Sequence, residues 1–77
     1  MTNDEMKVKE FLDKNNIEFV FDGGKFWFDT KKLSWMIVNR TDIELWSVFT
    51  WRRSDGTTEG SYNQYVEILL AEIKRDL

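Results

Sequence analysis

The chain has no cysteine, no proline and no histidine. Without cysteine there are no disulfides, no thiolate nucleophile and no Cys/His zinc site. Without histidine no imidazole base can serve a hydrolytic mechanism. The remaining serines, Ser34, Ser47, Ser54 and Ser61, therefore lack the partner that would activate them. Uncharged stretches such as Leu33–Val38 fall far short of the roughly 20 apolar residues of a membrane helix. The start, Met1-Thr2-Asn3-Asp4-Glu5, has neither the basic nor the apolar region of a signal peptide, so the expected location is cytoplasmic.

What is present is a short, aromatic-rich chain. Seventy-seven residues hold one core, so a single domain over residues 1–77 is expected. Aromatics make up 16% and charged residues 32%, a mixture foreign to disordered tails, which are poor in aromatics. The net charge of −3 is unevenly spread. Residues 31–53 carry five bases (Lys31, Lys32, Arg40, Arg52, Arg53) against two acids, while both flanking segments are acidic. That is too little positive excess for a duplex-DNA footprint.

Local patterns point to an α+β fold. Thr2-x-x-Glu5 has capping-box spacing, Val8, Phe11 and Leu12 follow at helical intervals, and Asn15-Asn16 offers a stop. A helix over about 3–14 follows. Ile17–Asp22 and Lys25–Asp29 flank Gly23-Gly24, which fits a type I′ hairpin because both turn positions need positive φ. The register then sets Asp22 opposite Lys25, Val20 opposite Trp27 and Phe19 opposite Phe28. Ile17, Phe19, Phe21, Phe26 and Phe28 share one face.

Ser34–Val38 and Ile43–Trp51 read as two further strands around Asn39–Asp42, with Val38 opposite Ile43 and Trp35 opposite Trp46. One face of that hairpin carries Met36, Val38, Ile43, Leu45, Ser47, Phe49 and Trp51. The other carries Trp35, Ile37, Glu44, Trp46, Val48 and Thr50. Asp55-Gly56 offers a turn that would set Arg52 opposite Glu59 on a short fifth strand. Ser61-x-x-Gln64 has a second capping-box spacing, ahead of an apolar stripe of Tyr62, Val66, Leu69, Ile73 and Leu77. The expected architecture is an N-terminal helix, an antiparallel sheet of four or five strands built from hairpins, and a C-terminal helix.

The site expectation rests on parity. Val20, Trp27, Trp35, Ile37, Trp46 and Val48 are assigned to the sheet face opposite the phenylalanines, which leaves the sheet apolar on both sides. An antiparallel sheet with one wet face should alternate apolar with polar. One helix on each face would make the tryptophans core. Both helices on the phenylalanine face would leave a tryptophan patch for a protein partner or a second copy of the chain. A third option is stacking on unpaired bases, with Trp51-Arg52-Arg53 combining an aromatic platform and two cations.

The carboxylates single out no acid–base pair. Asp22-Gly23-Gly24 is turn chemistry rather than a phosphate or calcium loop. The expectation is a non-catalytic protein-binding module acting by occlusion, without cofactor or metal. Trp27, Trp35, Ile37, Trp46 and Val48 would be its partner-binding anchors, with Lys31, Lys32, Arg40, Arg52 and Arg53 as polar contacts. The alternative is a single-stranded nucleic-acid binder using the Arg52/Arg53 strand end. The helix–strands–helix order is similar to that of double-stranded-RNA-binding domains. That family carries a lysine cluster at the start of its last helix, where this chain reads Ser61-Tyr62-Asn63-Gln64-Tyr65 and has no lysine before Lys74. Small size and a lack of catalytic side chains suit a phage or mobile-element accessory protein, such as an inhibitor of a host defence nuclease.

Overall fold

A computed structural model describes all residues from Met1 to Leu77. The chain runs α1 (Asn3–Lys14), β1 (Phe19–Asp22), β2 (Lys25–Asp29), β3 (Leu33–Arg40), β4 (Leu45–Arg52), β5 (Thr58–Asn63) and α2 (Val66–Lys74). The five strands form one antiparallel sheet in the order β1-β2-β3-β4-β5. This is the α+β fold expected, with the fifth strand present.

The first helix forms for the reasons its sequence gives. Thr2 Oγ1 accepts from the Glu5 amide at 3.1 Å, and the Thr2 amide donates to Glu5 Oε1 at 2.9 Å, so both halves of the capping box are made. At the other end Asn16 takes φ +58°, and the Ile17 amide donates to the Leu12 carbonyl at 2.9 Å. The Gly23-Gly24 turn has φ +55° and +80°, and β1 pairs β2 with Phe19 opposite Phe28 and Val20 opposite Trp27, in the expected register.

The second hairpin differs in register. Val38 faces Ser47 and Trp35 faces Thr50, because β3 continues through Asn39 and Arg40 and the turn moves to Thr41–Glu44. Asn39 is held in the sheet by two bonds. Its amide donates to the Gly24 carbonyl at 2.8 Å, and its side chain donates to Glu5 Oε2 at 2.9 Å. The displacement is even, so the two faces of this hairpin keep the membership that parity assigned them.

How the two hairpins join is a larger correction. Phe26 lies opposite Ile37 and Phe28 opposite Trp35. Trp35, Ile37, Trp46 and Val48 thus share the phenylalanine face rather than the face of Trp27. The three-residue connection Thr30–Lys32 sets this parity, and contacts from the far end of the chain fix its shape. Asp76 Oδ2 accepts from Thr30 Oγ1 (2.6 Å) and from the amides of Lys32 (2.8 Å) and Leu33 (3.0 Å).

Both helices pack on that same face. Val8 and Leu12 from α1 and Val66, Leu69 and Ile73 from α2 close over Phe26, Phe28, Trp35, Ile37, Trp46 and Val48 in one buried cluster. The second capping box does not form. Ser61, Tyr62 and Asn63 pair with Val48, Ser47 and Trp46 as strand β5. The helix starts later, behind Tyr65, with no side-chain cap. The sheet ladder satisfies the backbone of Ser61–Asn63, which a helix start there would forfeit. Arg52 does not face Glu59, which lies opposite Thr50; it stands 3.9 Å from Asp55 instead.

Candidate functional site: the open sheet face

With both helices on one side, the other face of the sheet has no cover. Reading across the register, Val20, Trp27, Met36, Phe49 and Gly60 are successive neighbours on all five strands. They form an apolar stripe perpendicular to the strands. Phe49 lies against the glycine, its ring carbons 3.8 Å from where a Gly60 Cβ would stand. One row over lie Val38, Ser47 and Tyr62, and on the other side Ser34, Trp51 and Thr58. Val20 is 62% exposed, Tyr62 66%, Phe49 46% and Trp51 43%. Trp27, Met36, Val38 and Leu45 are half-buried among these neighbours. Asp22, Lys25, Asp29 and Arg40 stand at the rim on the same face by strand alternation.

The expected anchors therefore divide. Trp27 lies on the open face. Trp35, Ile37, Trp46 and Val48 are 0–3% exposed beneath the helices and have no surface to offer a partner. Trp35 stacks on Phe28 with ring centroids 5.7 Å apart, and its Nε1 donates to Thr30 Oγ1 at 2.8 Å. Trp46 packs with Phe26 at 6.3 Å. The residues that take their place are Met36, Val38, Leu45, Phe49, Trp51 and Tyr62. The signal for the first five was visible in the sequence as one face of the β3–β4 hairpin; it was attached to the wrong side of the first hairpin.

The basic residues divide as well. Lys31, Lys32, Arg52 and Arg53, with Ser54, line one open cleft of about 530 Å³ where the β2–β3 and β4–β5 connections meet. Arg53 has a structural task there. Its Nη1 donates to the Leu33 carbonyl at 2.6 Å, and its Nη2 donates to the carbonyls of Thr30 and Lys31, each at 2.7 Å. Arg40 sits at the opposite end of β3 and forms a bidentate pair with Asp42 at 3.1 and 3.0 Å. That hydrogen-bonded pairing raises the Arg40 pKa and lowers that of Asp42.

Two carboxylates hold the frame: Glu5, which bonds beyond its expected cap, and Asp76, which the sequence reading passed over. Glu5 is buried, with one oxygen on the Thr2 amide and the other on Asn39. Asp76 ties the chain end to the β2–β3 connection. Burial works against its ionisation, but hydrogen bonds from the Thr30 hydroxyl and the Lys32 and Leu33 amides outweigh that and hold its pKa below the ordinary value. No three acidic side chains converge as a metal-binding group, and no helix is long and apolar enough to cross a membrane.

No family model matches the chain, and no curated protein or solved structure is similar enough to it to be informative.

Proposed function

We propose that this chain is a non-catalytic protein-binding module whose working surface is the open sheet face, and that the protein it docks is a second copy of itself. The observation that supports this is the uncovered Val20-Trp27-Met36-Phe49-Gly60 stripe. Four inter-strand gaps of ~4.8 Å, and seven rises of ~3.3 Å along the eight-residue central strands, span ~19 by ~23 Å. With its rim, such a face buries roughly 600–800 Å² per partner, close to a standard interface side of about 800 Å². The face is also self-complementary in charge. Lys25 and Asp29 flank Trp27 on one strand. A two-fold axis along the stripe sets Lys25 of one copy over Asp29 of the other while the apolar residues meet their own counterparts. Docking works by occlusion, since it covers the one large apolar surface the fold leaves open.

Light scattering at low micromolar concentration tests the reading. The expected mass is twice that of the chain, falling to the monomer in Trp27→Ser/Phe49→Ser with the far-UV spectrum unchanged. A monomeric wild-type chain refutes the second copy as occupant. The rival reading, single-stranded nucleic acid stacked on Trp51, has one point in its favour, the basic cleft beside that strand end. Against it, Arg53 spends its donors on backbone carbonyls and the net charge is −3. Quenching of tryptophan fluorescence by an oligouridylate, abolished by Trp51→Ala, would favour this rival.

A further inference from the structure

We infer that the cleft between the β2–β3 and β4–β5 connections is a binding site for phosphate groups, distinct from the apolar stripe of the open face. Four of its five lining side chains are cationic (Lys31, Lys32, Arg52, Arg53), the fifth is the Ser54 hydroxyl, and no acid lines it. The ammonium groups of Lys31 and Lys32 make no hydrogen bond or ion pair within the chain. Arg52 has only Asp55, at 3.9 Å on the rim. Two cations, Lys31 and Lys32, are thus uncommitted beside a third, Arg52, that is only loosely paired, in an otherwise acidic protein. Asp55 and Asp29 offset two of the four charges, which leaves about +2 at the cleft, the complement of one phosphate dianion or of two consecutive phosphodiesters.

The site is also pre-organised. Arg53 grips three carbonyls of the Thr30–Leu33 segment from one side. Asp76 grips the Thr30 hydroxyl and two amides from the other. The Arg53 amide donates to the Lys32 carbonyl at 3.2 Å and joins the two connections directly. Asp29, 3.8 Å from Arg53, helps hold that guanidinium in place. The backbone carrying the lysines is therefore fixed before any ligand arrives, so little ordering entropy opposes binding. Arg53 acts here as a positioning residue as well as a fixed charge.

The test is a titration of the whole chain with pyrophosphate at low salt, read by amide chemical shifts. The expected result is a saturable response at Lys31, Lys32, Arg53 and Ser54. It should weaken about tenfold or more in Lys31→Gln/Lys32→Gln and in Arg52→Gln, and stay unchanged in Lys7→Gln/Lys9→Gln, which removes as much charge elsewhere. Lys31 and Lys32 are exposed, and Arg52, Lys7 and Lys9 make only solvent-exposed pairs with Asp55, Glu67 and Asp13, which contribute little to stability, so the variants keep the wild-type spectrum away from the mutated side chains. A short oligouridylate forms the second arm. If it moves the same amides and pyrophosphate displaces it, the phosphates come from nucleic acid; if only pyrophosphate binds, they belong to a small ligand. No saturable response to either, up to about 10 mM, overturns the inference. Equal affinity in the cleft variants and the Lys7/Lys9 control overturns it as well.

Discussion

Two tryptophans five residues apart on one strand should differ in what they contribute to stability. Trp46 is 2% exposed, packed against Phe26 and covered by both helices; Trp51, on the opposite face, is 43% exposed. A tryptophan buries ~200 Å², which at ~25 cal/mol per Å² is ~5 kcal/mol. Measured Trp→Ala costs in cores run about 3–5 kcal/mol. A chain of this length has a total stability of only ~4–12 kcal/mol. Trp46→Ala should therefore remove a quarter or more of the stability, and at the lower end unfold the chain. Trp51→Ala, which removes a side chain only a little more than half buried, should cost roughly half as much, about 2 kcal/mol. Urea unfolding followed by far-UV circular dichroism measures both without depending on the deleted fluorophore. Low protein concentration keeps any linkage to association small. Equal costs, or a larger cost at Trp51, would refute the face assignment and with it the open stripe.

Asp76→Ala should cost about 1.5–3 kcal/mol, because three donors lose a shared acceptor, and should lower the melting midpoint by ~4–8 °C per kcal/mol. Since the Asp76 pKa is held below its ordinary value, this contribution is fully present above that value and is lost as pH falls through the lowered one. The gap between wild type and Asp76→Asn should therefore narrow on acidification below about pH 5, and a gap that widens would contradict the assignment. In the first turn, Gly24→Ala should cost more than Gly23→Ala, because φ +80° at Gly24 lies outside the left-handed range of about +50 to +70° that φ +55° at Gly23 falls within. A Cβ at Gly24 would make only ordinary contacts, 3.6 Å from the Asn39 carbonyl and Glu5 Oε2, so backbone strain alone sets the cost. About 1–2 kcal/mol is expected at Gly24, measured by thermal unfolding.

The residues of α1, its capping box and its Asn15-Asn16 stop were legible in sequence because the hydrogen bonds that start and end the helix lie within a few positions. The same holds for the Gly23-Gly24 hairpin and its register, and for the face membership within β3–β4, where period-two alternation survives a shift of register. Ser61-x-x-Gln64 shows the limit of such reading. It has the spacing of a helix cap, yet pairing with β4, more than ten residues away, takes those residues into a strand. The joining of the two hairpins lay further out of reach. Whether Trp35 belongs with Phe28 or with Trp27 depends on the parity of a three-residue connection. That connection is shaped by Arg53 and Asp76, about 20 and 45 residues downstream. Local sequence determined which side chains travel together. Only tertiary structure decided which set the helices cover, because burying the larger apolar set on one face requires both helices and the chain terminus to be in place at once.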